Sequence, residues 1–380
     1  MLIKPRAGQA AKIKVIGVGG GGGNALSSMI DDGGISGVEF VAVNTDAQAL
    51  LHNKASIKVQ IGDNLTKGLG SGGDPEVGRQ AAEESREKLM EELSGADMIF
   101  ITAGEGGGTG TGASPVIAEV AKELGILTVA VVTKPFDFEG AKRKFSADEG
   151  TQRLKDKVDT LIIVPNQRIL QAIDKKTPIL EAFKKIDSIL HQGVKGIAEL
   201  VTTAGLINVD FADVKTIMSN AGTALMGMGI GTGDKRAMAA IKQAISSPLL
   251  DVSIEGARGV LFNVVGGQDL TMSEIDEAAS IIAKTVDPDA DIIFGAVIDE
   301  RMMDSIKITI IATKFDDQRL RLFRFKKDTP VEEAEESVEI KENTTSQPTT
   351  ALSDPDIDQS ADLSIGEENE FDIPAFLRKK

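Results

Sequence analysis

The chain has no cysteine, tryptophan or tyrosine, and two histidines in 380 residues. Without cysteine there is no disulfide, no thiolate metal site and no thiol nucleophile. His52 and His191 are too few to build a histidine-based metal centre. Aromatics make up 4% of the residues, all phenylalanine, which argues against the stacking platforms of single-stranded nucleic-acid binders. The net charge of −16 argues against phosphate-backbone binding, which needs Lys and Arg. No stretch approaches the ~18 apolar residues of a membrane span, and Met1–Lys12 holds no apolar run of signal-peptide length, so a soluble cytosolic protein is expected.

The acidity is concentrated. Between Asp328 and Glu370 fourteen carboxylates face a single cation, Lys341, which accounts for most of the net charge. That segment is poor in apolar residues and cannot bury enough surface to offset ordering entropy, so 316–370 is expected to be a disordered linker. After it, Phe371, Ile373, Phe376 and Leu377 restore apolar character, followed by Arg378, Lys379 and Lys380. A segment this short cannot fold alone and reads as a peptide that orders on a partner.

The first half alternates short Val/Ile-rich runs with helix-length segments. Lys12–Val18, Val38–Val43, Asp97–Thr102, Leu127–Thr133 and Thr160–Val164 read as buried strands, with helices at Pro75–Leu93 and Pro115–Leu124. That rhythm predicts βαβ units and a parallel, doubly wound α/β sheet, with ligands beyond the carboxyl ends of its strands. Ile179, Leu180, Phe183, Ile186, Leu190, Val194, Ile197 and Val201 then predict a helix from Pro178 to near Val201, about 35 Å long. Runs at Ala224–Met228, Val260–Val265, Ile292–Ile298 and Ile306–Ala312 bracket helix patterns at Lys235–Ser246 and Ser273–Val286, predicting a second domain of α+β type. His191 reads as a partly exposed helix residue rather than a ligand.

Two glycine strings carry the chemistry. Gly17 to Gly23 follows the first strand and precedes a helix pattern at Ala25–Ile30, where backbone amides can approach a phosphate closely. It contains G-x-G-x-x-G at Gly17, Gly19 and Gly22, a weak signal alone; close packing would need one or two glycines, not six. Gly106-Gly107-Gly108-Thr109-Gly110-Thr111-Gly112 lies between a later strand and a helix opened by Ser114-Pro115. It lacks the lysine of a Walker loop, and a dinucleotide fold needs no second phosphate loop. Two such loops at neighbouring strand ends suit a di- or triphosphate held by backbone dipoles.

Gly106–Gly112 resembles the tubulin-type GTPase signature, and the chain from about Lys12 to Phe315, with its terminus, resembles the FtsZ family of bacterial cell division. The supporting strings are Val43–Leu50, Gly68–Gly70, Pro75–Gly78, Pro135–Gly140, Asn208–Val214 and Asp372–Arg378. The resemblance implies GTP and GDP as ligands with Mg²⁺. It implies phosphate contacts from Gly20, Gly21, Gly22 and Gly23 and from Gly106, Gly107, Gly108, Thr109 and Gly110, with Gly70 and Gly72 near the γ-phosphate. It puts Glu139 on the ribose, Arg143 near the phosphates, Asn24, Asn166 and Asp187 on the guanine edge, and Phe183 against its face. Asn44, Asp46 and Thr133 are carried over as further nucleotide contacts. On periodicity alone Phe183 reads as core and Asp187 as a solvated face.

The resemblance also implies that Asn208, Asp210 and Asp213 complete the site of an adjoining subunit and orient the attacking water; on its own, Asp213 reads equally as a helix cap. The implied organisation is a flexible N-terminus (1–11), a GTP-binding domain (12–177), a central helix (178–202), a catalytic loop (203–213), an α+β domain (214–315), the linker (316–370) and a partner-binding peptide (371–380). The implied function is a self-polymerising GTPase of the division ring. It would assemble head to tail at the inner face of the midcell membrane and recruit membrane-tethering and regulatory division proteins through Phe371–Lys380, without binding nucleic acid or inserting into the membrane itself. Two rivals stand beside it: an NAD-dependent oxidoreductase using Gly17–Gly22 with Glu39 or Asp46 on the ribose, and a GTP binder without efficient turnover. The second glycine string argues against the first, and Asp210 and Asp213 against the second.

Overall fold

The chain lays down β1 (Ile13–Val18), α1 (Gly19–Asp31), β2 (Val38–Asn44), α2 (Ala47–His52), β3 (Ile57–Gln60), α3 (Asp63–Thr66), α4 (Pro75–Glu84), α5 (Arg86–Leu93), β4 (Met98–Gly104), α6 (Thr109–Glu123), β5 (Leu127–Lys134), α7 (Ala141–Lys155), β6 (Thr160–Pro165), α8 (Asn166–Ala172) and α9 (Ile179–Thr202). It continues with α10 (Phe211–Met218), β7 (Gly222–Thr232), α11 (Arg236–Ile245), β8 (Gly259–Gly266), α12 (Met272–Thr285), β9 (Asp291–Ile298) and β10 (Ser305–Thr313). The structure, a computed structural model, describes residues 11–315 apart from 175, 204, 248, 249, 251 and 252. The expected linker and terminal peptide lie outside the described residues, as do the first ten.

The strands form one sheet in the order β3-β2-β1-β4-β5-β6-β7-β10-β8-β9. β1 to β6 are all parallel. The direction of strand addition reverses between β1 and β4, so the crevice beyond their carboxyl ends is the topological switch point where such sheets bind ligands. Both faces of this half are covered. One core gathers Leu26, Met29, Phe100 and Val129 with Leu190 and Val194 of α9; the other gathers Ile16, Ile99 and Ile101 with Ile117 and Val120 of α6. Two-sided burial is why these strands read as unbroken apolar runs.

β7 joins the sheet beside β6, parallel, over three residue pairs only: Thr160 with Gly222, Leu161 with Thr223 and Ile162 with Ala224. Beyond it β10 runs antiparallel to both β7 and β8, and β9 is parallel to β8. A third core around Phe262, Ile282 and Ile308 packs under α11 and α12.

Several elements differ from the sequence reading. The helix expected over Pro75–Leu93 breaks at Ser85 into α4 and α5. The helices that follow the two glycine strings begin earlier than their apolar patterns: α1 inside the first string at Gly19, and α6 at Thr109, with Pro115 inside it. His191 is buried, 5% exposed, with Nδ1 3.3 Å from a carboxylate oxygen of Asp32 at the end of α1.

Candidate functional site

The two glycine strings meet at the switch point. A side chain at Gly19 (φ 71°) would stand 2.8 Å from the Gly110 backbone nitrogen, and one at Gly22 would collide with the Thr102 carbonyl of β4. Packing therefore explains more glycines than the one or two expected. It does not explain Gly20, which is exposed and has nothing within 4 Å of where a Cβ would lie. The backbone there is open to whatever occupies the cleft.

Gly20 and Gly21 lie in the first turn of α1, and Thr109 and Gly110 open α6, so two helix N-termini present unpaired N–H groups to one crevice. Neither first turn carries an acid. The positive ends of both helix dipoles are therefore uncompensated, which favours an anion. Thr109 is buried; its Oγ1 lies 2.7 Å from Thr45 Oγ1 and 3.0 Å from Ser71 Oγ. Those contacts tie the Gly70–Gly73 turn to the start of α6. Thr111 Oγ1 accepts from the Gly106 N–H at 2.9 Å and shapes the turn from inside.

The crevice encloses about 360 Å³ and runs from these loops towards the start of α9. Its lining unites Gly20, Gly21, Asn24, Gly107, Gly108, Thr109, Gly110, Thr133, Glu139, Arg143, Asn166, Phe183 and Asp187. At the far end Asn166, the first residue of α8, is buried with Oδ1 unpartnered. Phe183 is 44% exposed and meets Phe136 edge-on at 5.6 Å between ring centres. Asp187, one helical turn on, is half-buried, and desolvation pushes its pKa up to about 6. An exposed aromatic face, an unsatisfied amide oxygen and a desolvated carboxylate make a recess for a flat polar heterocycle. Between the two ends, Glu139 accepts from the Phe136 N–H at 2.9 Å and from Arg143.

Not every expected residue faces this crevice. Gly22 is packed against β4, and Gly106 is buried beside α7. Gly23 and Asn44 line a smaller neighbouring cavity of about 150 Å³ with Ser27, His52 and Asn53. Asp46 caps α2, accepting from the N–H groups of Gln48 and Ala49. Gly70 and Gly72 lie in the turn next to Ser71, outside the lining. Conversely, sequence reasoning gave no role to Glu105, which also lines the crevice. An acid directly before a glycine string was the available signal for Glu105.

Asn208, Asp210 and Asp213 are elsewhere. They follow α9, which starts at the crevice and carries the chain ~22 Å from Asp187 to Thr202. All three are exposed. Asn208 Oδ1 accepts from the Gly205 N–H at 2.6 Å, and Ile207 bridges to Ala296 of β9, which pins the loop to the second half of the sheet. Asp210 is the N-cap of α10, its carboxylate accepting from the Asp213 N–H at 2.8 Å, so Asp213 is a first-turn residue and not the cap.

Residues 12–174 match the GTPase domain of the Tubulin/FtsZ family, and residues 222–316 match the C-terminal domain of the FtsZ family. An empty FtsZ dimer from M. jannaschii is 46% identical, with 81% of this chain and 89% of that one covered and a TM-score of 0.77. A point mutant of M. jannaschii FtsZ is 48% identical over 80% of this chain and 91% of that one, with a TM-score of 0.76. CetZ2 from Haloferax volcanii, a GTPγS-bound protofilament, shares the fold at 21% identity, covering 84% of this chain and 100% of that one, with a TM-score of 0.67.

Proposed function

The chain belongs to the FtsZ family of tubulin-type GTPases, and from that membership we propose that it binds GTP in the crevice, polymerises head to tail, and hydrolyses GTP where two subunits meet. The polyphosphate lies on the amides of Gly20–Gly21 and Gly107–Gly110, the ribose beside Glu139, and guanine between Phe183, Asn166 and Asp187. A carboxylate accepts from the N1–H and N2 amino group of guanine together.

One observation carries the trans arrangement. None of the crevice's own carboxylates is exposed and free at the phosphate end: Glu139 is held by Arg143, Asp187 stands at the base end, and Glu105 is buried behind the loop. Asp210 and Asp213, both exposed, lie at the opposite end of α9. Stacking subunits end to end brings that loop over the next molecule's phosphates, a heterologous contact that propagates as a filament. Asn208, Asp210 and Asp213 then position the attacking water. Mg²⁺ would enter with the nucleotide, since no protein cage for it is assigned among the described residues. There it would neutralise phosphate charge.

Phosphate release should rise per subunit with protein concentration and parallel GTP-dependent sedimentation. Turnover per subunit independent of concentration would place the whole site in one chain. A role in a midcell division ring, as a scaffold for tethering and regulatory proteins, follows the same family reading. Deleting Phe371–Lys380 should leave turnover and sedimentation unchanged while abolishing recruitment to tethered membranes.

A further inference from the structure

Glu105 is an ionisable residue in a place with little to balance its charge. It follows β4 and begins the turn that carries Gly106–Gly110, and its N–H donates to the Thr133 carbonyl at 2.9 Å, which fixes its backbone to β5. The side chain is turned inward. The residue is 5% exposed, and neither carboxyl oxygen has a hydrogen-bond partner. Gly150 of α7 closes over it: a Cβ there would stand 2.5 Å from Glu105 Oε2 and collide with Thr111. The neighbouring Thr111 hydroxyl accepts from the Gly106 N–H, and its own proton offers the carboxylate partial support.

The surrounding charges do not rescue it. Lys134 at the end of β5 attracts it but is paired with Asp148 of α7 at 2.6 Å. Arg143 and Arg153 of α7 are paired with Glu139 and Glu149, and Arg79 of α4 with Glu76. Glu119 of α6 is paired with Lys157, and β4 contains no charged residue. Burial, opposed only in part by the Thr111 hydroxyl and Lys134, pushes the carboxyl's pKa up to about 7.

The turn that follows Glu105 supplies the amides that face the crevice. An anion placed on them meets a like charge directly behind the loop unless that charge is removed. We propose that Glu105 is a positioning residue for the phosphate loop: a nucleotide di- or triphosphate binds with uptake of one proton at Glu105, and the neutral carboxyl is the form that holds the polyphosphate. The step balances as carboxylate, proton and nucleotide going to carboxylic acid and bound nucleotide. It rests on the guanine-nucleotide reading of the crevice and adds a proton to it.

The test uses the full chain, dilute, with GDP, whose terminal phosphate (second pKa ~6) is already ionised above pH 7.5. Calorimetry at pH 7.5 in buffers of low and high ionisation enthalpy should show more than half a proton taken up per GDP. Between pH 7.5 and 9 the Kd should weaken by up to about tenfold per unit. Glu105→Gln keeps the shape without the charge; it should take up no proton and hold a flat Kd near the wild-type value at pH 7. Glu105→Met, an apolar filler of the same recess, should do likewise and serves if the amide variant does not fold. Zero uptake by the wild type, or the same uptake and slope in either variant, overturns the proposal. Failure of the wild type to bind GDP at any pH would instead sink the nucleotide reading itself.

Discussion

The N–H of Asp213 donates to the carboxylate of Asp210 at 2.8 Å, so two acids three residues apart hold different posts at the start of α10. Asp210 caps the helix, whereas Asp213 stands in its first turn with its side chain exposed. The two should separate on mutation. Asp210→Ala should lose stability by about 1 kcal/mol together with turnover. Asp213→Ala should lose turnover by at least ~100-fold while unfolding near the wild-type midpoint. Urea titration and phosphate release measured on both variants decide this. GTP binding by the Asp213→Ala monomer should remain near normal, and mixing it with wild type should depress activity beyond dilution; strictly proportional loss would point to a site complete within one chain.

Gly20 and Gly22 are two residues apart and should respond oppositely. A methyl at Gly22 collides with the Thr102 carbonyl, so Gly22→Ala must push α1 off β4 and should cost ~1–3 kcal/mol. A methyl at Gly20 meets no protein atom within 4 Å. Gly20→Ala should leave the unfolding midpoint unchanged or raise it by up to ~1 kcal/mol, alanine being the better helix former, yet weaken GTP binding. Unaltered affinity in Gly20→Ala would remove the polyphosphate from that stretch.

Asp187 supplies a pH test at the base end. Desolvation lifts its pKa from 3.8 to about 6, and the proposed guanine contact uses the ionised form. GTP affinity should therefore fall as pH drops below about 6. Asp187→Ala should abolish that fall, weaken binding about 10- to 100-fold, and erode the preference for GTP over ITP, which lacks the N2 amine. An intact GTP/ITP ratio in the variant would exclude Asp187 as the reader.

His191 bears on the fold. Burial holds its pKa below the usual 6.5 despite the carboxylate of Asp32. A histidine whose folded pKa lies below its unfolded one stabilises fully above about pH 6.5 and progressively less as pH falls. Wild type should lose more stability than His191→Gln between pH 7 and pH 5, measured by urea midpoints. Equal losses would mean that the imidazole does not report on the packing of α9 against α1.

How far the sequence spoke follows from what each segment buries. β1, β2, β4, β5 and β6 stood out because both their faces are covered, while β3, a four-residue edge strand with exposed Lys58, left no such run. The starts of α1 and α6 were hidden because glycine is a poor helix former, so apolar periodicity begins only where the phosphate loop ends. His191 was misread because Asp32, distant in sequence, covers it. The crevice residues that are loop backbone were legible as glycine strings. Glu105 showed only as an acid beside a glycine string; its burial, which comes with the close approach of Gly150 forty-five residues away, was not visible.

The seam between β6 and β7 has a mechanical meaning. Three residue pairs join the strands there, against eight between β7 and β10 and seven between β4 and β5. In the proposed filament, a subunit held at the crevice by one neighbour and at the Asn208–Asp213 loop by the other would carry a lengthwise load along α9, which runs between the two regions. The sheet can relieve that tension only where it is thinnest. Tension along such a subunit should therefore strain the β6–β7 line before it opens either core.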